Sequence, residues 1–89
     1  MAELSRFYGI VIALYTRGEL GRHNLPHVHV SYSGDSAQVG LDGTVLAGWL
    51  PRNARRLVKQ WLHENSTEVT AAWQDMRDGR KIRKVEPLA

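Results

Sequence analysis

The sequence predicts an α+β domain: an antiparallel three- to four-stranded meander followed by two helices packed on one face of the sheet. Three observations predict it. The chain changes character near Pro51, from Gly, Val, Leu and Tyr before it to helix formers and charges after it. His27 to Ser33 alternates, with His27, His29, Ser31 and Ser33 on one face and Val28, Val30 and Tyr32 on the other, which is the period of a half-buried strand. Beyond Pro51, apolar residues recur at helical spacing in two separate stripes. The 89 residues leave room for one domain, expected over 1–89.

Each element has its own signal. Phe7 to Tyr15 is β-branched and aromatic with no charge inside it, and reads as one central strand. Thr16 to Pro26 is a polar connection, long for a hairpin loop. After the strand at His27, Ser33-Gly34-Asp35-Ser36 is a turn and Ala37 to Leu41 a partner strand. Asp42-Gly43 is a hairpin signal that leads into Thr44 to Gly48.

Pro51 suits the first position of a helix, where its missing N–H costs nothing. Ala54, Leu57, Val58, Trp61 and Leu62 form the apolar stripe of that helix, about 51–64. Asn65 is expected to cap a second helix, about 66–78, with Glu68 completing a capping-box-like pair. Val69, Ala72, Trp73 and Met76 are its stripe, and Gly79 its stop. Trp61 and Trp73 are expected in the core, and a core position is also favoured for Trp49. In the basic tail, 80–89, Ile82 and Val85 offer an extended segment that can dock.

Composition excludes several function classes. With no cysteine there is no disulfide framework, thiolate zinc site, iron–sulfur cluster or cysteine nucleophile. The longest apolar run is nine residues, against the ~20 that a membrane-spanning helix needs. Met1-Ala-Glu-Leu-Ser-Arg does not read as a signal peptide, so a cytoplasmic protein with no membrane partner is expected. No phosphate loop, dinucleotide fingerprint, nucleophile elbow or His-Glu-x-x-His motif is present.

Two constellations carry chemistry. Three of the four histidines fall in His23-Asn24-Leu25-Pro26-His27-Val28-His29. On a strand His27 and His29 share a face, with Cβ atoms roughly 6.5–7 Å apart, and His23 can fold back from the loop. Two imidazoles at that spacing can meet on one phosphate. One takes a ribose 2′-hydroxyl proton while the other, protonated, donates to the leaving 5′-oxygen. Zinc or another transition metal is the second option, but no carboxylate lies in the segment to complete a site, so no metal ligand and no cofactor is assigned. The bland alternative is a pair of solvated or cross-strand-bonded histidines.

The other constellation is basic. The net charge is only +3, yet nine of the twelve Lys and Arg residues sit in two clusters. Arg52, Arg55, Arg56 and Lys59 lie on the first helix, off its apolar stripe. Arg77, Arg80, Lys81, Arg83 and Lys84 lie at the end of the second and in the tail. Such clusters hold phosphates, dock an acidic partner, or are merely solvated.

Four motifs then occur in order: Arg6-Phe7-Tyr8-Gly9-Ile10-Val11-Ile12, His23-Asn24-x-Pro26-His27-x-His29-Val30, Leu50-Pro51-Arg52 and Lys84-x-Glu86-Pro87-Leu88. Together they resemble a bacterial domain-of-unknown-function family, the one numbered four-one-six-zero. The chain departs from that pattern at Leu25, where the family commonly has a second proline, and at Val28, where it often has an aromatic. The resemblance implies a small α+β domain, often encoded beside another small uncharacterised protein. Such pairs look like toxin–antitoxin modules with this family on the toxin side, so a small antitoxin-like partner encoded nearby is implied.

Two readings follow. In the first the protein is a toxin acting on or binding RNA, ribonuclease-like if enzymatic. His27 and His29 would then serve as catalytic residues assisted by His23, and Arg52, Arg55, Arg56 and Lys59 would hold the backbone. In the second it is a non-catalytic module for nucleic acid or a partner protein.

Overall fold

A computed structural model of the chain describes residues 2–15 and 25–89. Its elements run β1 (Ala2–Phe7), β2 (Ile10–Leu14), β3 (His27–Tyr32), β4 (Asp35–Gly40), β5 (Val45–Gly48), α1 (Arg52–Glu64) and α2 (Ser66–Arg77). The five strands form one antiparallel sheet in sequence order, so the meander has more strands than expected.

The extra strand comes from a hairpin inside the Phe7–Tyr15 segment, which is not one strand. Tyr8 and Gly9 both have positive φ, 50° and 78°, and Phe7 pairs with Ile10. A two-residue loop with two left-handed residues matches the twist of the strands it joins. A tyrosine in the first left-handed position hides that signal, because only the second residue is a glycine. Ser33-Gly34 makes the same kind of turn between β3 and β4.

Alternation sets the core. Ile10, Ile12, Val28, Val30, Ala37 and Val39 are buried with Ala54, Val58, Trp61 and Leu62 of α1 and Val69, Ala72, Trp73 and Met76 of α2. In register, Ala13 faces His29, which faces Gln38, and Val11 faces Ser31, which faces Ser36. That second set lies on the opposite face of the sheet from Val28 and Val30.

The helix ends differ in detail from expectation. Pro51 stands one position before α1, and its carbonyl accepts the Arg55 N–H at 3.0 Å. Asn65 does not cap α2 through its side chain; its Nδ2 donates to the Trp61 carbonyl at 3.0 Å and so closes α1. One residue joins the two helices, and its amide serves the carbonyl end of the first. At the end of α2, Arg80 N–H bonds the Asp75 carbonyl at 2.8 Å and Gly79 N–H that of Met76 at 3.3 Å, the paired bonds of a Schellman stop.

The tail docks as expected. Val85 N–H donates to the Leu4 carbonyl at 2.8 Å, and Trp61 Nε1 donates to the Glu86 carbonyl at 2.7 Å. Trp61 and Trp73 are buried, but Trp49 is not: it is 61% exposed. Its N–H is tied to the Ser36 carbonyl at 3.1 Å, and the next residue, Leu50, takes the core position instead.

Candidate functional site

The histidine pair is placed together and then divided by burial. The His27 and His29 rings lie 5.4 Å apart, as two residues of equal parity on a strand should. His27 opens β3, where Trp73 of α2 reaches its ring at 5.4 Å, and it is only 1% exposed. Its Nδ1 is 3.0 Å from the Leu25 carbonyl. A carbonyl only accepts, so this contact puts the proton on Nδ1. His29 is half-buried and stacks on Tyr15 at 4.1 Å with the rings 6° apart. Trp73, His27, His29 and Tyr15 thus form a continuous run of rings from α2 across this face of the sheet.

His29 lines a shallow groove on that face with Tyr15, Ser31, Ser36 and Gln38. No residue of α1 lines this groove. His23 lies outside the described residues. Among the described residues, no group of three or more His, Cys, Asp or Glu side chains is placed to hold a metal ion.

The basic cluster of α1 forms one exposed arc. At about 100° per residue, Arg52, Arg55, Arg56 and Lys59 fall within an arc about 100° wide, roughly opposite the buried stripe. All four are exposed, and among the described residues none is in an ion pair. The second cluster is different. Arg80 bonds Asp75 at 2.9 Å and Asp78 at 3.1 Å, and Lys84 lies 3.8 Å from Glu3. Ion pairs therefore take up part of the tail cluster and, among the described residues, none of the α1 arc.

Two members of this arc's neighbourhood escaped sequence reasoning. His63 stands one helical turn after Lys59 on the same arc, and helical spacing alone was enough to reveal it. Asp42 is brought to the arc by the β4–β5 turn. A groove of about 450 Å³ runs between them, with Arg56, Lys59 and His63 on one wall and Leu41 and Asp42 on the other. Asp42 Oδ1 accepts the Thr44 N–H at 2.9 Å. Hydrogen bonds from Thr44, backbone first and then side chain, hold the Asp42 carboxyl below its ordinary value, with the Lys59 charge a smaller contribution.

The family model described as a domain of unknown function (DUF4160) matches residues 9–74. The chain belongs to the DUF4160 family. The matched span covers β2 to most of α2, so the His27–His29 pair, the β4–β5 turn and the α1 arc all fall inside this DUF4160 domain. No curated protein and no solved structure matches the chain. Among the described residues, no helix is long and apolar enough to cross a membrane.

Proposed function

We propose that this DUF4160 protein binds single-stranded RNA along the basic face of α1 and does not cleave it. The observation that carries this reading is the exposed arc of Arg52, Arg55, Arg56 and Lys59, none of which is in an ion pair among the described residues. Phosphate contacts of this kind dominate the affinity of nucleic-acid binding. Exposed Trp49 precedes Arg52 by three residues, and unpaired bases stack on exposed aromatic faces.

The binding branch is favoured over the ribonuclease branch by His27. A general acid or base must come within hydrogen-bond reach of the proton it moves. His27 is buried against Trp73, and His29 opens onto the sheet face that α1 does not line. In the toxin–antitoxin setting implied by the family resemblance, the protein would act by occupying RNA in the cytoplasm. The small partner encoded nearby would relieve it by covering α1 with an acidic surface.

Fluorescence anisotropy with labelled dodecauridylate tests the reading. Binding is expected at low salt, with ~10-fold or greater loss in Arg55→Glu/Arg56→Glu. Trp49→Phe should remove most of the tryptophan quenching on binding. RNA should stay full-length after incubation. Undiminished binding by the charge-reversed protein would sink the α1 interface. Shortened RNA would return the ribonuclease branch, and an acidic partner bound without any RNA affinity would replace RNA as ligand.

A further inference from the structure

We propose that the groove between α1 and the β4–β5 turn is a base pocket selective for guanine, with Asp42 as the residue that selects. The inference rests on the RNA-binding reading of α1 and adds sequence preference to it.

The groove is of ligand size, about 450 Å³ against the ~300–1,000 Å³ of small-molecule sites. It opens on the basic arc, so a strand whose phosphates follow Arg52, Arg55 and Arg56 reaches it at Lys59 and His63. Its walls match the two kinds of surface on a base. Leu41 and the methylene stem of Lys59 are apolar and suit the base face. Asp42 and Gln60 are polar and suit the base edge.

Asp42 decides which edge. Thr44 hydrogen bonds to the carboxylate and keeps it ionised, and an ionised carboxylate is an acceptor only. Of its about four acceptor positions the Thr44 N–H occupies one on Oδ1, which leaves acceptor capacity on the carboxylate for a ligand. Guanine is the base that presents two adjacent donors, N1–H and the N2 amine, on its Watson–Crick edge. Uracil presents one imino donor, and adenine and cytosine one amine each. Single-stranded RNA exposes these edges for recognition. The carboxylate is also anchored in place: Gly43, the next residue, packs directly on the Lys59 stem.

The test compares three labelled RNA hexamers: all uridine, the same with one central guanosine, and the same with inosine there, which lacks the N2 amine. The guanosine hexamer is expected to bind about tenfold tighter than the all-uridine one, with inosine between them. Asp42→Asn keeps an oxygen for the Thr44 N–H but replaces acceptors with an amide donor. It should erase the guanosine preference while the all-uridine hexamer still binds. Equal affinity for the guanosine and uridine hexamers would overturn the pocket and leave the RNA reading standing. A guanosine preference that survives Asp42→Asn would overturn the role of Asp42. No binding of any hexamer would overturn the RNA reading and the pocket with it.

Discussion

Gly43 and Lys59 are in direct contact across the domain: a Cβ added at Gly43 would lie 2.7 Å from Lys59 Cγ, and the Gly43 backbone has φ +93°. This contact fastens the β4–β5 turn to the exposed face of α1. It is the reason an acid from a hairpin, Asp42, stands in the same groove as Arg56 and Lys59.

Gly43→Ala should therefore cost both stability and preference. A side chain at positive φ is disfavoured by roughly 1–2 kcal/mol, and the added methyl must also push the Lys59 stem aside. Urea denaturation is expected to show a loss of about that size. Guanosine and uridine hexamers should then bind more nearly alike. An unchanged midpoint would show that the turn and helix are not coupled.

On the proposed RNA interface the four α1 cations should set the salt dependence of binding. Four contacts to a single strand give a log–log slope of about −2.8, since each contributes ~0.7. Arg55→Gln/Arg56→Gln should reduce it to about −1.4. Anisotropy titrations across a salt series measure both slopes. A tail variant, Lys81→Gln/Arg83→Gln, should leave the slope as it is.

The two strand histidines should separate cleanly. His27→Ala removes a buried ring that packs on Trp73 and is expected to cost roughly 2–4 kcal/mol. His29→Ala removes a ring stacked on Tyr15 and should cost about 1 kcal/mol. Neither should weaken RNA binding at a temperature where the variant is folded. Denaturation curves paired with anisotropy check this, and weakened binding by folded His29→Ala would bring the sheet face into the interface.

Acid should unfold the protein partly through Asp42 and Glu3. Thr44 hydrogen bonds lower the Asp42 carboxyl from its ordinary 3.8, and a hydrogen bond from Arg6 lowers Glu3 from 4.5. A carboxyl lowered in the folded state binds its proton more readily when unfolded. Its contribution is complete above the ordinary value and is lost as pH falls through the lowered one. Stability should thus drop below about pH 4.5, from Glu3 first and then Asp42, and Asp42→Asn should flatten the lower part of that fall. Denaturant midpoints measured across the acid range test the order.

Much of the fold was legible from local patterns. The alternation at Val28, Val30 and Tyr32 and the stripe through Ala54, Val58, Trp61 and Leu62 reflect backbone periodicity, which any chain carries in its residue order. The β1–β2 hairpin was not legible, because a left-handed tyrosine looks like any strand aromatic. Trp49 misled for a related reason: a large apolar side chain argues for burial, but the hydrogen bond of its N–H to Ser36 spends that position on turning the chain.

By itself the sequence determined the fold class, the adjacency of His27 and His29, and the single-faced basic arc of α1. These are short-range matters, set by periods of two and 3.6 residues. The tertiary structure alone decided which of those features face a ligand. It buried His27 under Trp73, set Lys84 beside Glu3, left Arg52, Arg55 and Arg56 without an ion pair among the described residues, and carried Asp42 to Lys59. Burial and charge pairing depend on residues far apart in the chain, and only packing of the strands against the helices brings them together.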